Sequence, residues 1–121
     1  MKYMLLVYHN EDHFAQLGEG THAAMLEESI RLAHTITLKG QYLAAPLQPT
    51  STATCVQVRD GKQVVTDGPY AETREQLAGY FLFEAKDLDE AISIATRVPG
   101  ARIGTVEIRP VRDVPGLPTA S

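Results

Sequence analysis

Residues 79–85 read GYFLFEA, and the alternation inside that run decides the architecture. Successive side chains of a strand point to opposite faces, so Phe81, Phe83 and Ala85 share one side while Tyr80, Leu82 and Glu84 share the other. The first side suits a packed interior. The second is half apolar and half ionisable. Residues 105–109 (TVEIR) repeat the pattern, with Thr105, Glu107 and Arg109 on the polar side. Strands of this kind make a sheet with one covered face and one bare face.

The neighbouring segments supply the cover. Asp87 opens a helix, with Glu90 three residues on as a capping-box partner and Ala91, Ile92, Ala95 and Val98 as its apolar face, stopped by Pro99-Gly100. Upstream, residues 71–77 (AETREQL) carry acids early and good helix formers throughout, which predicts a short helix after the Asp67-Gly68-Pro69 break. Residues 54–59 and 62–66 flank Asp60-Gly61, a dipeptide that tolerates the positive φ angles of a type I′ turn, and so form a hairpin. Residues 41–45 read as a short strand punctuated by Pro46 and Pro49. Before them, Thr21 is placed to cap a helix in which Ala23, Leu26, Ile30, Ala33 and Thr37 recur at helical spacing up to Gly40, with residues 9–20 as a polar loop. The opening run 3–8 (YMLLVY) is apolar on both faces, as a central strand must be.

The order strand, helix, strand, hairpin, short helix, strand, helix, strand is an α+β, ferredoxin-like split βαβ plan with an inserted β-hairpin. Two long helices cover one face of the sheet. An exposed Tyr-Leu pair beside the apolar first strand would leave a large sticky patch, so the expectation is a homodimer stacked sheet against sheet around an enclosed cavity. At 121 residues the chain has room for one domain, over 1–113, with a loose proline-rich tail over 114–121. A single cysteine, and no charge-flanked apolar leader ahead of the first strand, point to the cytoplasm. The formal net charge of -4, with acids and bases interleaved, argues against nucleic acid as a partner, and no apolar run approaches the length a membrane requires.

The run 66–80 (TDGPYAETREQLAGY), followed by 84–91 (EAKDLDEA) and 106–110 (VEIRP), resembles the YCII-related family, specifically its DGPF-domain branch. The likeness extends back through Arg59-Asp60-Gly61 and Leu47 to the first strand, with Tyr70, Arg74 and Ala78 standing where the branch commonly has Phe, Lys and Gly. It implies a dimeric α/β barrel of the ferredoxin-like type and no particular reaction. For shorter YCII proteins a His and Asp pair has been suggested as an acid/base centre. Here residues 96–99 read TRVP without an Asp, and His22 lies further from Gly40 than that spacing, so the pair does not carry over. Some relatives occur beside or fused to alternative sigma factors, which implies a regulatory alternative to catalysis.

Several residues carry candidate chemistry. Asp67-Gly68-Pro69 is self-sufficient as a rigid turn; alternatively the corner aims Asp67 and Tyr70 into the cavity, the carboxylate to take a proton and the phenol to give one. His22, near the positive end of its helix, would stay neutral and act as a base; otherwise it is an exposed first-turn residue, and His34 belongs to a helix edge. His9, Glu11, Asp12 and His13 are metal-ligand residue types without a tight metal spacing, so they are read as a solvated loop and no metal is assigned. Glu72 and Glu75 suit the start of the short helix. Glu84 on the enclosed face either pairs with Arg109 or has its pKa raised by burial. Cys55 reads as a small structural residue. The expected site therefore has Asp67 and His22 as catalytic groups and Tyr70, Tyr80, Glu84 and Arg109 as pocket walls, with no organic cofactor. The expected partners are a second copy and an unidentified small molecule, or, on the alternative, a sigma factor.

Overall fold

The computed structural model describes residues 1–36 and 43–117. Four strands form one antiparallel sheet: β1 (Lys2–His9), β2 (Leu43–Pro46), β5 (Gln76–Glu84) and β6 (Thr105–Pro110), in the order β2-β5-β1-β6. This order fits a ferredoxin-like plan. β1 is central because both its faces are apolar, and its odd positions Tyr3, Leu5 and Val7 are buried. They meet Phe81, Phe83 and Ala85 from β5 and the residue after it, Leu32 and Ala33 from helix α2 (Glu19–Ile36), and Ala91 and Ala95 from helix α3 (Leu88–Thr96), with Val98 beyond it. The opposite face carries half-buried Met4, Leu6, Tyr80 and Leu82 beside exposed Glu84, Thr105, Glu107 and Arg109. Both strand patterns therefore hold as read.

α3 begins as expected. The Asp87 carboxylate accepts from Glu90 N at 2.9 Å, and Glu90 Oε1 accepts from Lys86 N at 3.1 Å. Ala91 and Ala95, four apart, enter the core, while Ile92 stays 47% exposed. Residues Pro99–Arg102 make a 3-10 turn after the helix. This turn lies tight against the end of β1: a Cβ on Gly100 would come within 2.5 Å of Val7 Cγ1, and one on Gly104 within 2.0 Å of the Tyr8 carbonyl.

The hairpin also forms, from β3 (Thr54–Arg59) and β4 (Lys62–Asp67). Asp60 and Gly61 sit at φ 51 and 74, both positive as a type I′ turn requires. It is a separate two-stranded sheet with Val56 opposite Val65, and Val56, Val58 and Val65 are 61%, 64% and 50% exposed.

Three expectations need correction. Residues 71–75 are irregular, not a short helix, and β5 starts at Gln76. Local polar contacts outweigh helix propensity there: Thr73 Oγ1 donates to the Glu75 carbonyl, Gln76 Nε2 to the Thr73 carbonyl and Asn10 Nδ2 to the Arg74 carbonyl. The supposed loop 9–20 contains helix α1 (Glu11–Gln16), whose N-cap Asn10 accepts from His13 N at 2.8 Å and whose first turn carries Glu11 and Asp12. Gly18, at φ 87, turns the chain directly into α2, which therefore starts at Glu19 and not behind a Thr21 cap.

The α2 stripe is the third. Leu32 and Ala33 are buried, whereas Ala23 is exposed and Leu26 and Ile30 are 48% and 49% exposed. The C-terminal half of the helix packs on the sheet while its N-terminal half stands off it and borders a cavity. Thr37 to Gly40 and Gln41, which the sequence assigned to the end of this helix and the start of the next strand, lie outside the described residues.

Among the described residues no helix is long and apolar enough to cross a membrane.

Candidate functional site: a cavity beneath helix α2

The odd positions of β1 continue past Val7 to His9 on the helix side of the sheet. There the β1–β5 pairing slips by one residue: Val7 faces Gly79, Tyr8 faces Leu77, and His9 faces Gln76. Gln76 Oε1 accepts from Glu11 N at 2.9 Å, which ties the start of α1 to the sheet. Glu11 in turn takes both groups of Thr50, its Oε2 accepting from the amide at 2.9 Å and its Oε1 from the hydroxyl at 2.6 Å. Those bonds hold the Glu11 carboxyl below the usual glutamate range.

With α1 fixed, Phe14 meets two imidazoles. His9 stacks on it with centroids 4.3 Å apart at 7°, and His22 with centroids 4.0 Å apart at 6°. Two rings at those separations cannot share one face of a phenyl group without overlapping, so Phe14 is sandwiched between them. His22 Nε2 lies 2.6 Å from the Phe14 carbonyl. A carbonyl only accepts, so Nε2 carries a proton and, in the neutral ring, Nδ1 holds the lone pair. Burial lowers the His9 pKa against the opposing pull of Glu11 and Glu75, and His22 lowers it further.

These rings form part of the wall of a cavity of ≈ 240 Å³ between α2 and the sheet. Met25, Leu26, Ile30 and Phe81 belong to its apolar lining, together with Pro99 and Gly100 of the 3-10 turn. Among the described residues no Asp, Glu, Lys or Arg lines it. Such a space can hold a small apolar body and offers imidazole nitrogens for hydrogen bonding or proton transfer.

Of the residues singled out from the sequence, His22 lines this cavity, and Tyr80 borders it only through its place in β5, its side chain lying with Leu6 on the bare face. The others lie elsewhere. Asp67 is exposed at the end of β4 opposite Thr54, and Tyr70 is 90% exposed. The Asp67-Gly68-Pro69 corner closes the base of the hairpin: Gly68 sits at φ 98, its amide donates to the Ala53 carbonyl at 2.7 Å, and Cys55 Sγ donates to the Gly68 carbonyl at 3.3 Å. Glu84 lies 3.6 Å from the Met1 amino group. It sits opposite Lys2 on β1, whereas Arg109 sits opposite Met4 from the other side of that strand. Tyr8 donates to Glu107 at 3.4 Å on the bare face, and burial followed by that carboxylate raises its phenol pKa.

Sequence reasoning missed His9 and Phe14 as a pair with His22. The signal for His9 was available in the period-2 pattern of β1. That for Phe14 depended on recognising Asn10 as a cap. Near α1 a polar depression of ≈ 320 Å³ runs from Asn10, Glu11 and Asp12 to Pro69 and Arg74. Among the described residues no group of three or more His, Cys, Asp or Glu side chains could hold a metal ion.

The split βαβ order and a cavity under its first long helix define a small antiparallel α+β domain. The chain belongs to the YCII-related domain family, whose model matches residues 1–115. It is also similar to the uncharacterized protein R00369 of Rhizobium meliloti (strain 1021), with 41% identity over 69 residues, or 55% of this chain. The chain spans 56% of that relative's length.

Proposed function

We propose that this chain is a DGPF-type member of the family and a cytoplasmic homodimer that binds a small molecule, with imidazole acid/base chemistry and no organic cofactor. The observation that carries the reading is the cavity beneath α2, whose described lining is apolar except where His9, His22 and Ser29 reach it. His22, held as the Nε2–H tautomer, is the base through Nδ1. Dimerisation is supported by the bare face. Across the strands its rows read Leu43, Leu82, Met4, Arg109 and Ala45, Tyr80, Leu6, Glu107. An apolar centre with a cation and an anion at one rim suits a two-fold stacking of sheets. A space between two such sheets, walled by Tyr80, Glu84 and Arg109, is the rival position for the ligand.

The test is a fragment screen read by methyl NMR. The reading expects ligands that shift Val7, Met25, Leu26 and Ile30 and that are lost in Ile30→Trp, which fills the space from a half-exposed position. Ligands that shift only Leu6, Leu43 and Leu82 would place the site between sheets instead.

The hairpin favours a second reading, an interaction module that acts with an alternative sigma factor and does no catalysis. A two-stranded ribbon is marginal by itself, and this one exposes four valines, Val56, Val58, Val64 and Val65. Under this reading Val56→Lys with Val65→Lys abolishes co-purification with such a factor while leaving the cavity intact.

A further inference from the structure

Resting on the cavity reading above, we infer that the ligand is a small monocarboxylate with a compact aromatic or branched apolar body, its carboxylate held at the histidine end. Size sets the body. A cavity of about 150 Å³ takes benzene, so ≈ 240 Å³ suits a ring with one short substituent, about nine or ten non-hydrogen atoms.

Charge sets the head group. Among the described residues the ionisable side chains in the lining are two imidazoles. Imidazole can become positive and never negative, so an ammonium ligand would enter a largely apolar space with no carboxylate in its described lining to pair with. A carboxylate can be balanced by proton uptake. His22 is arranged for this: its Nε2–H already donates to the Phe14 carbonyl, so a proton added at Nδ1 gives an imidazolium with one donor engaged and the other free for the ligand. The first turn of α2, where His22 stands, also favours an anion. Phe14 lies face-on to the ring and stabilises the positive charge as a cation–π partner.

The sandwich makes this uptake single. Charging both imidazoles would place two cations on opposite faces of one phenyl ring, so one carboxylate recruits one proton. Glu11 and Glu75 pull on His9, and His9 and His22 oppose each other.

Benzoate, benzyl alcohol and benzylamine share a body and differ in the head group, so they separate the claims. Titration calorimetry of the intact protein near neutral pH should show benzoate binding about tenfold more tightly than benzyl alcohol, the difference between a charge-assisted and a neutral hydrogen bond. Benzylamine should be weakest. Benzoate binding should take up a proton, seen as an enthalpy that varies with buffer, whereas benzyl alcohol binding should take up none. In His22→Gln the advantage of benzoate over the alcohol should fall below about twofold.

An alcohol or amine that binds as well as benzoate, or benzoate binding without proton uptake, overturns the carboxylate assignment and leaves the cavity reading standing. If none of the three binds at millimolar concentration, both fall.

Discussion

Replacing Phe14 with alanine removes the ring that joins β1, α1 and α2 at the cavity wall while leaving the Phe14 carbonyl in place for His22. Each stacked pair contributes about 0.5–1.5 kcal/mol beyond its buried area, so two pairs amount to about 1–3 kcal/mol. A fully buried phenylalanine costs about 3–5 kcal/mol on truncation, and Phe14 is only half buried. The expected loss is about 2–3 kcal/mol, which for a chain of this length lowers Tm by about 10 °C. Urea denaturation followed by circular dichroism measures it.

Phe14→Leu keeps bulk without a π face and should recover roughly half of the loss. A cycle with His22→Leu should return a coupling of about 0.5–1.5 kcal/mol between the two positions. A Phe14→Ala cost below about 1 kcal/mol with coupling indistinguishable from zero would show that the rings lie together without supporting each other.

Two further outcomes follow from the same structure. His9 has a lowered pKa, so its contribution to stability is complete above the ordinary histidine value and declines as pH falls through that value toward the folded one. Thermal melts should therefore show Tm falling between about pH 7 and about pH 5.5, with a shallower fall in His9→Gln; equal slopes would show that His9 is not desolvated. Asp87→Ala removes the acceptor of the Glu90 amide at the start of α3 and should cost about 1 kcal/mol, whereas Asp87→Asn should retain most of it, and a loss under about 0.3 kcal/mol in the alanine variant would mean that water replaces the cap.

Much of the fold was legible because its signals are local and redundant. The alternation of 79–85 and 105–109, the Asp60-Gly61 turn and the Asp87–Glu90 pair each specify one geometry, and each is found. Residues 71–77 misled because helix propensity is weak beside side chains that capture nearby carbonyls, as those of Thr73 and Gln76 do. α1 was invisible to periodicity because six residues span less than two turns. The candidate site was half legible. His22 reaches the cavity, but its ring partners come from a strand end and a short helix whose meeting depends on tertiary contacts. Asp67, prominent in sequence, belongs to a corner that shapes the hairpin.

The slip in pairing between Val7 and Tyr8 makes the wall of the cavity sensitive to strand register. Ala78 is the unmatched residue: Val7 faces Gly79 and Tyr8 faces Leu77, while the Ala78 carbonyl is taken by Leu47 N at 2.7 Å. That odd residue inverts the parity of everything before it in β5, so Gln76 emerges beside His9 and not on the reverse side. Were the two strands paired without the slip, Ala78 would face Tyr8 and Leu77 would face His9, turning Gln76 away from Glu11 and unmooring the first helix, so that no phenyl ring would stand between the two histidines.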